Sequence, residues 1–161
     1  MRLTIRPFQP GDEGPLTVIL NDIIAAGGTT AFEQPFTPER LRAESLAGPT
    51  VLCCHVVLDG EEAVGFQALY ANPHLPQGWG DIASFTRRDP PVRGAGTALF
   101  EATRARAKAL GIPVLNATIR ADNIPGLAYY AKMGFEDYGV LTAVPLADGT
   151  PVDRIRKKRA P

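Results

Sequence analysis

The sequence predicts an α/β fold in which about four helices pack against a twisted sheet of about seven strands. Three observations predict it. The 161 residues are 45% hydrophobic and 21% charged, which is typical of a globular chain, so we expect residues 1–161 to form a single domain. Segments with the two-residue period of a strand alternate with segments that carry apolar residues every three to four positions. Two Asp-Gly pairs, at 59–60 and 148–149, have the chemistry of tight hairpin turns.

The chain opens with a predicted strand followed by two helices. Met1–Arg6 alternates apolar and polar side chains, as a half-buried strand does. The next segment has its apolar residues at helical spacing, and these are Leu16, Ile19, Leu20, Ile23 and Ile24. Gly27-Gly28 ends this helix. Thr37 before a proline is typical of an N-cap, and Arg40–Leu46 continues the second, short helix.

Three strands follow. Val51–Leu58 and Ala63–Tyr70 flank the first Asp-Gly pair and predict an antiparallel hairpin. A loop rich in proline and glycine leads to another strand at Trp79–Arg88. Pro90-Pro91 ends that strand, because proline cannot donate to the backbone ladder.

The last part of the chain alternates helices and strands again. Gly94–Leu110 has a helical pattern with a face of small residues, and Val114–Ile119 is apolar, as expected of a buried central strand. Asn123–Lys132 predicts a short helix, and Gly134-Phe135 begins a further strand. The second Asp-Gly pair leads into a final strand at Val152–Arg156. The predicted order is therefore βααβββαβαββ.

Composition and charge exclude several classes of function. The chain has 17 basic and 17 acidic residues, so no overall field attracts a nucleic acid or an anionic membrane. Met1–Ile5 lacks the apolar core of a secretion signal, and no apolar stretch approaches the roughly 18 residues of a membrane span. Adjacent Cys53 and Cys54 would point to opposite faces of a strand, so we expect reduced thiols and a cytoplasmic protein. Neither histidine has a partner at ligand spacing, and we expect no metal.

A turn of small residues lies between a predicted strand and a predicted helix, and it reads Arg93-Gly94-Ala95-Gly96-Thr97-Ala98. Small residues let the backbone approach a ligand, and the unpaired N–H groups of a helix's first turn attract anions. A pyrophosphate would suit those amides, and Arg93 would add a charge-assisted contact. Taken alone, the turn suits a tightly packed strand–helix crossover at least as well. It matches neither a P-loop nor a full dinucleotide-binding fingerprint.

Residues further along the chain make the pattern specific. Asn123 opens the next helix, Tyr130 lies within it, and Gly134-Phe135 follows at once. The pattern Arg-x-x-Gly-x-Ala at 93–98, followed by these residues in this order, resembles the GNAT superfamily of N-acetyltransferases. The predicted order of elements also resembles that fold, so the resemblance covers nearly the whole chain. It implies a mixed sheet in which the fourth and fifth strands are parallel and splay apart.

The resemblance implies acetyl-CoA as the co-substrate and assigns residues to it. In such enzymes the pyrophosphate of CoA lies on the amides of the turn at 93–98. The pantetheine arm inserts between the splayed strands and pairs with backbone near Thr86 and Arg88, like an added strand. Asn123 matches the residue that contacts this arm, and Tyr130 matches the residue whose hydroxyl faces the thioester sulfur.

Tyr130 has the chemistry of a general acid in such a reaction. A substrate amine attacks the acetyl carbonyl, and CoA leaves as a thiolate that needs a proton. A phenol has an ordinary pKa of about 10 and a thiol one of about 8.5, so the transfer is slightly uphill in water. General-acid assistance is typically worth about 10²–10⁴ in rate. The alternative is that Tyr130 is a core tyrosine, although adjacent Tyr129 is the better candidate for a packing role.

The attacking amine must be neutral, which requires a base or a chain of water molecules. Asp81 is the first candidate, because it lies on the strand that leads to the splay; it could equally be a solvated carboxylate at a strand end. Glu33 is the second candidate, because the loop between the first two helices covers the acceptor pocket in the GNAT superfamily.

The segment Asn21–Ile24, together with Thr29–Glu33, resembles the phosphinothricin acetyltransferase-like branch, which acetylates amino groups of small amino-acid analogues. That branch usually carries arginines after the third strand, where Leu69–Gln77 has none. It also carries a glutamate on the fourth strand where this chain has Ala83. Asp81 shares that strand face but lies roughly 6–7 Å away. The acceptor and the base are therefore open.

The sequence thus predicts an N-acetyltransferase that acts on the primary amine of a small molecule. Acetylation of protein N-termini or lysines and a non-catalytic acyl-CoA sensor are the alternatives. We expect no nucleic-acid or membrane partner, and the resemblance leaves a homodimer open. The basic run Arg154–Arg159 is interpreted as the solvated end of the final strand rather than as a nucleic-acid patch.

Overall fold

The computed structural model describes residues 2–161 and joins seven strands in one sheet. The strands are β1 (Leu3–Pro7), β2 (Val51–Asp59), β3 (Glu62–Tyr70), β4 (Gly80–Thr86), β5 (Leu115–Arg120), β6 (Glu136–Pro145) and β7 (Pro151–Arg159). The α-helices are α1 (Glu13–Ala26), α2 (Pro38–Leu41), α3 (Ala95–Ala109) and α4 (Ile124–Lys132). A π-helical turn, Arg42–Leu46, continues α2. The predicted α/β class and the predicted order of elements are confirmed.

The sheet has the order β1-β2-β3-β4-β5-β7-β6, and only β4 and β5 run parallel to each other. These two strands pair at Gly80 with Leu115 and at Asp81 with Asn116. Beyond that point both strands continue, but their pairing stops. The predicted splay between parallel strands is confirmed, and it opens a cleft in the middle of the sheet.

Helices cover both faces of the sheet. The α1 face, packed under α1 and α2, buries Leu16 and Leu20 against Phe66 of β3. The α3 face, packed under α3 and α4, buries Phe100 against Leu69 of β3. Because successive residues of a strand point to opposite faces, β3 supplies side chains to both cores. Tyr130 of α4 belongs to the core of the α3 face.

Several strand ends differ from the sequence prediction by a few residues. β4 ends at Thr86 rather than Arg88, where the next proline pair approaches. β7 extends to Arg159 because it pairs with β5 on one side and β6 on the other. The basic run is therefore regular strand, and Lys157 is buried with its ammonium on Asp137. Met1, which the sequence placed in the first strand, lies outside the described residues.

Residues 2–161 contain neither a candidate membrane span nor a candidate metal cluster. No helix there is long and apolar enough to cross a bilayer. The same part of the chain shows no group of three or more His, Cys, Asp or Glu side chains placed to hold a metal ion.

A nearly buried ion pair fixes the start of α1 against β1. Arg6 Nη1 and Nη2 donate to the two carboxylate oxygens of Asp12, at 2.7 and 2.9 Å, and the amide of Gln9 also donates to Asp12, at 2.8 Å. Asp12 is 7% exposed. These hydrogen bonds, that of Arg6 first, hold the pKa of Asp12 below its usual range although burial opposes the shift.

We expect Asp12→Asn to lower the free energy of unfolding at neutral pH by about 1–3 kcal/mol, because Arg6 then loses its ionised partner. Folding lowers the pKa of Asp12, so the stabilisation is complete above the ordinary pKa of about 3.9 and is lost as the pH falls through the folded-state value. The difference between wild type and variant should therefore shrink below about pH 4. Urea unfolding at pH 7 and pH 3 measures it.

Glu61→Gln is the matched control, because Glu61 lies exposed in the turn between β2 and β3. Its effect should stay within about 0.5 kcal/mol at both pH values. A loss at Asp12 that is equal at pH 7 and pH 3 would contradict the assignment.

Candidate functional site

The cleft between β4 and β5 leads to a cavity of about 430 Å³, here called the α4 cavity. The end of β4, the start of α3 and the first turns of α4 form its walls. Five residues predicted to contact the cofactor line it, and these are Thr86, Arg88, Gly96, Asn123 and Tyr130. The remaining residues of the predicted turn (Arg93, Gly94, Ala95, Thr97 and Ala98) lie beside the cavity rather than in its wall.

The small-residue turn is the N-terminus of α3. Gly94 has a left-handed φ of 84° and is the N-cap, and the amide of Ala98 donates to its carbonyl at 3.0 Å. Within residues 2–161, the amides of Gly96 and Thr97 have no acceptor. Arg93 is exposed next to them. A helix N-terminus with free amides and a nearby guanidinium is suited to binding an anion.

Gly96 is required by its contact with Tyr129. A Cβ at Gly96 would lie 2.7 Å from Tyr129 Cε1, which is closer than such atoms approach. The Tyr129 hydroxyl donates to the Gly96 carbonyl at 2.7 Å. The first turn of α3 is therefore held directly by a side chain of α4.

Asn123 caps α4 and ties a distant loop to it. Its Oδ1 accepts from the amide of Gly126 at 3.0 Å, and its Nδ2 donates to the carbonyl of Thr29 at 2.8 Å. A Cβ at Gly126 would lie 2.4 Å from Asn123 Nδ2, so only glycine leaves room for this cap. The predicted contact between Asn123 and the arm of a cofactor stays a prediction.

Tyr130 lies between two cavities. It lines the α4 cavity and also a second cavity of about 290 Å³ on the α1 face, here called the loop cavity. Its hydroxyl is 2.8 Å from Ser84 Oγ. Burial raises the pKa of Tyr130 above the ordinary phenol value, and the hydrogen bond with Ser84 opposes part of that rise. The hydroxyl is therefore protonated at neutral pH.

Asp81 lies in the wall of the loop cavity at the point where β4 and β5 separate. Its Oδ1 accepts from Asn116 Nδ2 at 2.9 Å, and its Oδ2 accepts from Asn72 Nδ2 at 3.1 Å. Asn116 is fully buried and accepts a hydrogen bond from the Tyr138 hydroxyl. Asp81 is thus held in place by two amides rather than free at a strand end, and Ala83 lies beside it in the same wall.

Glu33 is not brought to the cavities. Its carboxylate accepts from the amide of Ala147, in the turn between β6 and β7, at 2.9 and 3.2 Å, and it is exposed. The preceding residues of this loop, 29–32, line the loop cavity instead, and among them Phe32 makes an edge-to-face contact with Phe36 at 5.0 Å. Glu33 instead ties the loop to the turn between β6 and β7, because its carboxylate accepts the hydrogen bond of the Ala147 amide.

Two arginines that sequence reasoning missed line the loop cavity. Arg120 of β5 donates to Asp122 and, at 3.2 Å, to the carbonyl of Thr30. Arg154 of β7 lies directly across from Arg120 in the sheet and is half-buried. The pairing of β5 with a strand more than thirty residues later brings these side chains together. No local signal in the sequence predicts it.

Comparisons with known proteins agree with this geometry. The family model described as acetyltransferase (GNAT) family matches residues 20–135. The protein YwnH of Bacillus subtilis (strain 168), whose name describes it as a phosphinothricin acetyltransferase, is 27% identical over an alignment of 156 residues. The alignment covers 94% of each chain. A phosphinothricin acetyltransferase (Pat) of Sinorhizobium meliloti, solved with AcCoA, superposes with a TM-score of 0.85 at 22% identity, over 99% of this chain and 89% of that one. An N-acetyltransferase of Staphylococcus aureus Mu50 gives 0.84 at 19% identity, over 99% of both chains.

We expect Gly96→Ala to lower the free energy of unfolding by about 1–3 kcal/mol, because the added methyl group must displace the Tyr129 ring. Thermal or urea unfolding measures the loss. Thr97→Ala, at the next and exposed position, is the control and should change stability by less than about 0.5 kcal/mol. Equal stability of Gly96→Ala and the control would show that the ring moves freely.

Proposed function

This chain belongs to the acetyltransferase (GNAT) family, and we propose that it transfers the acetyl group of acetyl-CoA to the primary amine of a small molecule. One observation carries the proposal. Tyr130 lies at the junction of two cavities, with free helix amides beside one and the carboxylate of Asp81 in the other. A co-substrate in the α4 cavity and an acceptor in the loop cavity could meet there.

The α4 cavity fits the co-substrate by the groups it offers. The free amides of Gly96 and Thr97 suit a pyrophosphate. Beyond Asp81, the edge of β4 that faces β5 is unpaired, and it suits an extended amide-containing arm. Thr29 Oγ1 is buried in the wall and has no partner within residues 2–161, so it is free to bind a ligand. Acetyl-CoA would supply the activated acetyl group.

Asp81 is proposed to accept the proton of the attacking amine, directly or through water. The amides of Asn72 and Asn116 fix its carboxylate, and both oxygens keep a lone pair for a further donor. Asp81 also lines a neighbouring cavity of about 280 Å³, which offers a path for an acceptor or for water. Tyr130 is proposed to give its hydroxyl proton to the departing sulfur.

A small acceptor that carries an anionic group fits the loop cavity best. The cavity is about 290 Å³ and is covered by the loop at 29–32, which leaves little room for a peptide chain. Arg154 supplies a cation that faces the cavity, whereas Arg120 is already bound to Asp122. The name of the Bacillus relative, which refers to an amino-acid analogue, supports the same class of acceptor.

Tyr130→Phe is expected to lower kcat by about 10²-fold or more, because the thiolate then leaves without a proton donor. Its affinity for CoA should stay within about twofold, since the ring and its packing are kept. Release of free thiol measures kcat, and calorimetry measures CoA binding. If kcat is unchanged, Tyr130 has no part in the chemistry.

The acceptor is tested with a panel of amines, assayed by free-thiol release, that includes small amino acids, uncharged amines and peptides. We expect turnover with small amines that bear a carboxylate or another anion. Arg154→Gln should then raise KM for these amines by about tenfold or more, the worth of a charge-assisted hydrogen bond. Lys108→Gln, which removes an equal charge from the exposed end of α3, is the control.

Two results would contradict this acceptor. Turnover confined to peptides would make the protein a peptide acetyltransferase. Binding of acetyl-CoA without turnover of any amine would indicate an acyl-CoA sensor.

A further inference from the structure

A buried polar side chain in the middle of β3 has no part in the mechanism above. Gln67 is fully buried, and its Nε2 donates to Ser84 Oγ at 2.7 Å and to the Tyr129 hydroxyl at 3.0 Å. Its Oε1 has no partner within residues 2–161. An unpaired buried carbonyl costs free energy, and an apolar side chain at this position would avoid that cost. The contacts of Gln67 indicate what it does instead.

The Gly96 carbonyl, in the first turn of α3, determines which atom donates in each of these hydrogen bonds. The carbonyl of Gly96 can only accept, so the hydroxyl of Tyr129 must donate to it at 2.7 Å. Burial raises the pKa of Tyr129 to about 12, which keeps that hydroxyl protonated. The hydroxyl hydrogen of Tyr129 is therefore bound to the Gly96 carbonyl, and the hydroxyl oxygen of Tyr129 can only accept from Gln67. The amide of Gln67 must present its NH₂ group to Tyr129, and the same NH₂ group faces Ser84.

This orientation decides which way Ser84 points. Its oxygen accepts from Gln67, so its own hydrogen is free for the Tyr130 oxygen, 2.8 Å away. In the reverse direction, with Tyr130 donating to Ser84, the hydrogen of Ser84 could turn only to the Tyr129 oxygen, which already accepts from Gln67, because Gln67 presents only N–H groups there. The hydroxyl hydrogen of Tyr130 is then free to point into the cavities that its side chain lines.

We propose that Gln67 and Ser84 are positioning residues that hold Tyr130 as a hydrogen-bond donor toward the leaving sulfur and stabilise its oxygen once the proton has gone. The carbonyl of Gly96, at the start of α3, sets the direction of the whole chain of hydrogen bonds. This inference rests on the role proposed for Tyr130.

The proton balance of the step is complete. The amine nitrogen forms a bond to the acetyl carbon, the bond from carbon to sulfur breaks, and the sulfur takes the proton of Tyr130. The resulting phenolate accepts the hydrogen bond of Ser84, which in turn accepts from Gln67. The proton that the nitrogen loses, to Asp81 or to water, balances the one given to the sulfur. Tyr130 regains a proton from solvent after the products leave.

The test is a double-mutant cycle between Ser84 and Tyr130. Ser84→Ala should lower kcat by about tenfold, the worth of one hydrogen bond, while KM and the affinity for CoA change by less than about twofold. In the Tyr130→Phe background the same substitution should have no further effect on kcat, because no hydroxyl is left to orient. Ser84→Thr keeps the hydroxyl and should restore most of the activity.

A loss at Ser84 that is equal in both backgrounds would overturn the proposal, since it would show that Ser84 acts on the structure and not on Tyr130. An unchanged kcat for Ser84→Ala, combined with the loss expected for Tyr130→Phe, would overturn it as well and would leave the proposed function intact. If Tyr130→Phe alone keeps full activity, the acid role itself fails.

Gln67→Met provides a second measurement at the other end of the chain. Methionine keeps the length of the side chain and removes both N–H donors, so kcat should fall as it does for Ser84→Ala, with normal CoA binding. Thermal unfolding checks that the variant is folded. Full activity in a folded Gln67→Met protein would show that Ser84 needs no partner to orient Tyr130, which contradicts the proposal.

Discussion

The loss of pairing between β4 and β5 is the constraint on which the site depends. After Asp81 and Asn116 the two strands separate, and their backbone groups can no longer satisfy each other. The separation opens the sheet at this point, and Tyr130 is part of the wall of both the α4 cavity and the loop cavity there. The Tyr130 hydroxyl contacts Ser84, which lies on the part of β4 that no longer pairs with β5. The closed end of the splay is held by the amide of Asn116 on the carboxylate of Asp81.

Much of the fold could be predicted because its signals are local. Periodicity, Asp-Gly turns and prolines identified all seven strands and all four helices in order, and the errors lay at the ends of elements and at Arg42–Leu46, which is π-helical rather than α-helical. The residues predicted to contact the cofactor could be selected from the sequence for a similar reason, and their contacts with it stay a prediction. Gly96 and Asn123 lie at helix N-termini, where a short sequence pattern indicates the backbone geometry. In the structure, Tyr129 leaves no room for a side chain at Gly96, and Asn123 leaves none at Gly126.

The residues around the loop cavity could not be predicted in the same way, because they come together through long-range strand pairing. Arg154 meets the cavity only because β7 lies next to β5, and Gln67 meets Ser84 only through the register of β3 with β4. Each looks like an ordinary strand residue in the sequence. Glu33 is also affected by a long-range contact: the amide of Ala147, in the turn between β6 and β7, binds its carboxylate outside the cavities, and its role as a base stays a prediction. Its loop contributes an aromatic ring to the site instead.

The loop between α1 and α2 is tied to the other end of the chain by three sets of hydrogen bonds. Thr29 is bound by Asn123, Thr30 by Arg120 and Glu33 by Ala147, across separations of 94, 90 and 114 residues. Contacts this distant in sequence form late, since the intervening chain must be ordered first. During synthesis the loop emerges early, and these three sets of contacts must wait until α4 and the last hairpin have been made. Residues 29–33 therefore reach their final position against the loop cavity only when the chain is almost complete, whereas the turn at Phe36 can form against Asn21 much earlier.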